Sequence, residues 1–136
     1  MDQRLRGLLA AVNAPNAPPR ITGISHAFHV PGSLPGESET QIFLTTADGR
    51  PVSLNILRRP GEQPRWAVAL GEIVDAAARP PEPDTLLWYH LACFLPRTVP
   101  AAAIADLAPA DAEATRADYA LVLAGLGPCT RNLPPQ

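Results

Sequence analysis

Three histidines and two cysteines are the residues best equipped for chemistry in this 136-residue chain. His90 and Cys93 stand three apart in Leu87-Trp88-Tyr89-His90-Leu91-Ala92-Cys93-Phe94. On a helix that spacing puts a ring nitrogen and Sγ on one face, where both can reach one ion. His26-x-x-His29 has the same spacing. With His90 and Cys93 it would complete a four-ligand set, and zinc is the ion that accepts such a mixture of N and S donors. A regular strand turns residues three apart to opposite faces, so this set requires a bulge between His26 and His29. The competing reading is structural. His90 finds a hydrogen-bond partner inside a core helix, Cys93 is a reduced, buried thiol, and the chain needs no cofactor.

All eleven basic residues are Arg. Arg58, Arg59 and Arg65 lie close together beside Trp66, and Arg97 follows later. This set could grip phosphates in bidentate fashion while Trp66 stacks on an exposed base. A net charge of −2 works against bulk nucleic-acid binding. Composition bias toward Arg, Ala, Pro and Gly accounts for the same residues without a function. Signs of catalysis are thin. Ser25 and His26 are merely adjacent, and any helical pair three apart is as close as His90 and Cys93. No glycine-rich phosphate loop is present. The residues leave the enzyme question open, with the balance against catalysis.

The elements that would position these groups follow from periodicity and punctuation. Leu5, Leu8, Leu9 and Val12 predict a helix over 2–13. A strand is expected over 21–30, with Ile24, His26, Phe28 and Val30 on one face. Asp48-Gly49 between two alternating runs predicts a hairpin of strands 40–46 and 51–57. Pro64 and the run Trp66, Leu70, Ile73, Val74 and Ala77 predict a helix. Asp84 or Thr85 caps a further helix from Leu86 to Leu95, stopped by Pro96. Pro100–Leu107 reads as a short helical turn, and Pro109 opens a last helix that ends at Gly125 or Gly127.

The stretch Trp88–Phe94 resembles the second ligand pair of the poly(ADP-ribose) polymerase-type zinc finger. Ile104–Asp111 is similar to the turn and acidic helix start that follow in that family, and Leu70-Gly71-Glu72-Ile73 to its Gly-x-Leu segment. The resemblance covers roughly residues 60–123. It implies zinc held by His90 and Cys93, and binding to DNA strand breaks. The family's first Cys-x-x-Cys pair is absent, since Gly61-Glu62-Gln63-Pro64 stands at the corresponding place.

Taken together, the sequence predicts an α+β fold. A three-stranded or slightly larger antiparallel sheet from the N-terminal half is packed by three to four helices from the C-terminal half. One domain spans 1–127, with a flexible tail over 128–136. Leu44, Leu54, Ile56, Leu70, Ile73, Leu91 and Phe94 are expected in the core. With no apolar run long enough for a membrane span and no signal-peptide pattern, a cytoplasmic protein is expected. Three functions fit: a non-catalytic module that binds another protein, as an adaptor, inhibitor, immunity-type or accessory subunit; a degenerate zinc-finger-like module that binds DNA through Arg58, Arg59, Arg65, Arg97 and Trp66; and a small enzyme with a cleft between sheet and helices.

Overall fold

The computed structural model describes residues 20–70 and 86–127. The helix expected over 2–13, the tail over 128–136, Ile73 and the rest of 71–85 lie outside the described residues. Four strands come first: β1 Ile21–Pro31, β2 Ser38–Thr46, β3 Val52–Arg58 and β4 Arg65–Leu70. They form one antiparallel meander in the order β1-β2-β3-β4. Helix α1 (Leu86–Phe94), a 3₁₀ turn (Ala101–Ile104) and helix α2 (Pro109–Leu126) follow. The fold is α+β as expected, with a four-stranded sheet where three strands or slightly more were expected and, among the described residues, two α-helices rather than three to four.

The extra strand corrects a reading of period. The spacing of Trp66, Leu70, Ile73, Val74 and Ala77 predicts a helix, yet Arg65–Leu70 pairs with β3, Trp66 opposite Ile56 and Val68 opposite Leu54. A run of five apolar residues satisfies a period of two as readily as one of 3.6. Trp66 and Val68 pack with the core cluster, while Ala67 lies on the opposite face by alternation and is buried there.

The hairpin over β2 and β3 forms as the Asp-Gly signal demands. Gly49 sits at φ 77°, in the left-handed region that costs glycine nothing. Asp48 closes the turn by accepting from the Arg50 backbone N–H at 3.1 Å and from its guanidinium at 2.6 Å. Those two donors, the backbone bond first, hold the Asp48 carboxyl below its ordinary range.

One face of the sheet carries the core. Ile42, Leu44, Val52, Leu54 and Ile56 are buried there with Ile21, Ile24 and Ala27 from β1. Leu91 and Leu95 from the α1 region, Ile104 from the 3₁₀ turn, and Ala112, Tyr119, Val122 and Leu126 from α2 pack onto them. Each fully buried Ile or Leu contributes roughly 1.5–3 kcal/mol. Of the expected core, Leu44, Leu54, Ile56 and Leu91 are buried and Phe94 packs at its margin. Phe94 also lies under the Arg20 guanidinium, 4.8 Å from the ring centre, which ties the start of β1 to α1. α2 ends at Gly127, at φ 78°, whose N–H returns to the Leu123 carbonyl.

β1 is not regular. Its register against β2 shifts between Ile21 and Gly23 and again between Ile24 and His26. Each bulge inserts a residue and re-aims the side chains that follow. Ile21, Ile24 and Ala27 therefore all reach the core although they are spaced by three. Ile24 was expected to share a face with His26, Phe28 and Val30, and the second bulge separates it from them.

Candidate functional site

The four proposed metal ligands do not converge. Beyond the second bulge β1 pairs regularly, with His26 opposite Phe43 and His29 opposite Thr40. His26 and His29 thus point to opposite faces. The bulge that a joint site requires lies before His26, not between the two. His90 is buried on α1, its ring centre 4.8 Å from that of Phe94. Cys93 is disulfide-bonded, which corrects the expectation of a reduced thiol. A sulfur in a disulfide offers no thiolate to a metal. The chain's only other cysteine, Cys129, lies outside the described residues. Among the described residues no group of three or more His, Cys, Asp or Glu is arranged to hold a metal ion.

The proposed DNA-contacting residues are dispersed or engaged. Arg58 donates to Asp118 at 2.5 Å and Arg65 to Glu62 at 2.9 Å. Trp66 is only 8% exposed and packs beside Trp88, ring centres 6.0 Å apart. It is a core residue and not a stacking platform. Arg59 is exposed after β3, while Arg97 lines a cleft against α2.

A buried polar chain crosses the core face where the sheet meets α2. Asp118 is 1% exposed and Thr40 fully buried. Thr40 Oγ1 donates to Asp118 Oδ2 at 2.6 Å. Since that hydroxyl has one proton, His29 Nδ1, 2.8 Å from Thr40 Oγ1, must be the donor in its own bond. The order His29, Thr40, Asp118, Arg58 superficially resembles a catalytic relay. Thr40, however, is sealed from solvent and its proton is committed to the carboxylate. Its role is to satisfy Asp118 and to lock β1, β2 and β3 to α2.

The second face of β1 is different. Phe28 and Val30 are large apolar side chains exposed by 50% and 59%, and Leu34, in the loop that follows β1, is exposed by 57%. Phe28 stands edge-on to His26 and Phe43 at 5.3 and 5.8 Å, and His26 stacks on Phe43 at 4.6 Å. Beside them a cleft of about 500 Å³ is lined by Ser25, His26, Phe43, Arg50 and Ser53 among others. Ser25 Oγ lies 3.0 Å from His26 Nδ1 but also donates to the Phe43 carbonyl at 3.1 Å. Among the described residues no carboxylate is hydrogen-bonded to His26. The pair lacks the orienting third group and the free hydroxyl proton of a nucleophile and base. What the residues assemble is an apolar, partly aromatic surface along β1. Sequence reasoning missed it because Ile24, two residues before His26, is apolar and belongs to the core. The signal available was Gly23, a frequent mark of a bulge within a strand.

No protein-family model matches the sequence, and neither curated proteins nor solved structures yield a match.

Proposed function

We propose that the chain is a non-catalytic interaction module that binds another protein by adding that partner's extended segment to β1. The observation that carries this reading is the composition of the edge. β1 is eleven residues long and pairs with β2 alone among the described strands. It has no Asp, Glu, Lys or Arg anywhere in ITGISHAFHVP. Edge strands that must stay solitary are normally blunted by charge, shortness or bulges throughout. Here the bulges are confined to Ile21–His26, and the stretch from His26 to Pro31 is regular. Phe28 and Val30 alternate outward on that stretch, as pockets or ridges for a docked strand would.

Zinc-dependent DNA binding has less support, because Cys93 is oxidised, Arg58 and Arg65 are paired, and Trp66 is buried. Among the described residues no helix is long and apolar enough to cross a membrane. The disulfide at Cys93 favours an oxidising compartment over the cytoplasm expected from sequence.

A photo-crosslinking residue placed at Phe28 or Val30 should yield an adduct with a partner protein in extracts of the native host. The same residue at Glu113, exposed on α2, should not. A chain that stays strictly monomeric and gives no adduct at either β1 position would overturn the reading. An adduct of the chain with itself would identify the docked strand as a second copy.

A further inference from the structure

We propose that the cleft between the 97–99 segment and α2 binds a phosphate-sized dianion, either inorganic phosphate or the phosphate group of a small phosphomonoester. The cleft holds about 240 Å³ and is lined by Arg97, Thr98, Val99, Arg116, Tyr119 and Ala120. Among the described residues its lining holds two guanidiniums and no carboxylate. Among the described residues neither Arg97 nor Arg116 takes part in an ion pair or a hydrogen bond, whereas Arg50, Arg58 and Arg65 each have an acidic partner. Glu113 stands one turn before Arg116 on α2 and forms no ion pair with it. Two positive charges that line one concavity and have no acidic partner among the described residues leave that concavity locally positive in a chain of net charge −2.

The walls are fixed. Tyr119 is 2% exposed, and its hydroxyl donates to the Pro96 carbonyl, which pins the segment carrying Arg97 onto α2. Val99 is buried beneath the segment, and Pro96 and Pro100 bracket it. Arg116 projects from the middle of an eighteen-residue helix. Donors held by rigid elements lose little freedom on binding. Thr98 adds a hydroxyl to the lining.

Size and charge choose the ligand. The volume falls below the roughly 300–1,000 Å³ of clefts that enclose drug-sized molecules. The cleft therefore suits the anionic group itself, with any organic remainder in solvent. Two guanidiniums match a dianion, and a phosphomonoester carries about −1.5 to −2 at pH 7. A single carboxylate leaves one arginine uncompensated. Guanidiniums also grip phosphate oxygens in bidentate fashion. This site is remote in sequence from the β1 surface and does not rest on the function proposed for it.

The test is a titration of the whole chain with sodium phosphate, with methyl phosphate and with acetate, at constant ionic strength held by chloride. Amide chemical shifts and the melting temperature are read in each arm. Both phosphates should saturate, raise the melting temperature and shift the amides of Arg97, Thr98 and Arg116, and acetate should not. R97Q and R116Q should each weaken phosphate binding about tenfold or more. R59Q, which removes an exposed arginine outside the cleft, should leave it unchanged. Saturation by inorganic phosphate but not methyl phosphate would restrict the site to the free ion. Shifts that follow ionic strength alone, or that persist in both R97Q and R116Q, overturn the proposal. The wild-type shift map decides the matter even if a variant fails to fold.

Discussion

Arg58 Nε on β3 lies 2.5 Å from Asp118 Oδ1 on α2, and the other oxygen of that carboxylate takes the Thr40 hydroxyl at 2.6 Å. The two partners are unequally placed. The Asp118 side chain is 2% exposed and that of Arg58 35%. Removing Asp118 lets the guanidinium return to water. Removing Arg58 strands a buried carboxylate that keeps, among the described residues, the Thr40 hydroxyl as its donor. Arg58→Ala should therefore cost at least as much stability as Asp118→Ala, each on the order of 3 kcal/mol. The double variant should cost less than the sum, by about 1–3 kcal/mol. Urea denaturation of the four proteins measures the coupling. Strict additivity would mean that the pair does not fasten α2 to the sheet.

Tyr119 gives a dependence on alkaline pH. Burial pushes its phenol well above the ordinary value, and the nearby Arg97 draws it back only in part. The folded state thus favours the neutral phenol. Its contribution is complete below the unfolded value of about 10 and declines as pH rises above that value toward the folded one. Tyr119→Phe should flatten the fall in urea midpoint between neutral and strongly alkaline pH. At neutral pH it should cost about 1–2 kcal/mol, because the Pro96 carbonyl loses its donor. An unchanged alkaline slope in Tyr119→Phe would assign the titration to another group.

Gly49 at φ 77° supplies a stringent local check on the hairpin. Gly49→Ala should destabilise by about 1 kcal/mol, since alanine must be forced into the left-handed region. Gly49→Asn should cost less, because asparagine visits that region more readily. Nothing lies within 4 Å of a Cβ built at Gly49, so the difference reports backbone conformation and not a clash. Equal effects of the two substitutions in thermal denaturation would contradict this.

These relationships were not equally legible in the sequence. The Asp48-Gly49 hairpin and the two helices after residue 85 were, because turn chemistry and proline punctuation act locally. β4 was not, because a short apolar run such as Trp66–Leu70 fits two periods and only pairing with β3 decides between them. Asp118 was hidden for another reason. The buried stripe of α2 includes Thr115 and Asp118 alongside Ala112, Tyr119 and Val122. A hydropathy pattern reads such polar positions as solvent-facing. Asp118 stands four residues before Val122, which gives its face, but its partners Thr40 and Arg58 are 78 and 60 residues away. The exposed row on β1 was obscured by bulges, which shift faces without changing composition.

The state of Cys93 separates the disulfide from the metal reading. In denaturant without reductant, folded protein recovered from an oxidising host should show no titratable thiol, and two after reduction, matching its two cysteines. Reduction should lower stability by about 2–4 kcal/mol. One zinc per chain together with two free thiols would restore Cys93 as a ligand and displace the disulfide.

The β1 surface must be separable from the core if it serves binding. Phe28 and Val30 are half or more exposed and face away from Ile42 and Leu54. Val30→Thr should leave stability within about 0.5 kcal/mol. Phe28→Ser loses its edge contacts with His26 and Phe43 and should cost about 1 kcal/mol. Ala27→Asp, one residue earlier, puts a charge onto the core face opposite Ile42 and should cost several times more. A partner that docks on β1 should lose affinity for Val30→Thr and Phe28→Ser while both variants remain folded. It should also protect backbone amides between His26 and Pro31 from hydrogen exchange, because an added strand engages main-chain groups. Protection confined to side-chain neighbours elsewhere, with those amides still exchanging freely, would mean that the partner covers the aromatic surface without extending the sheet.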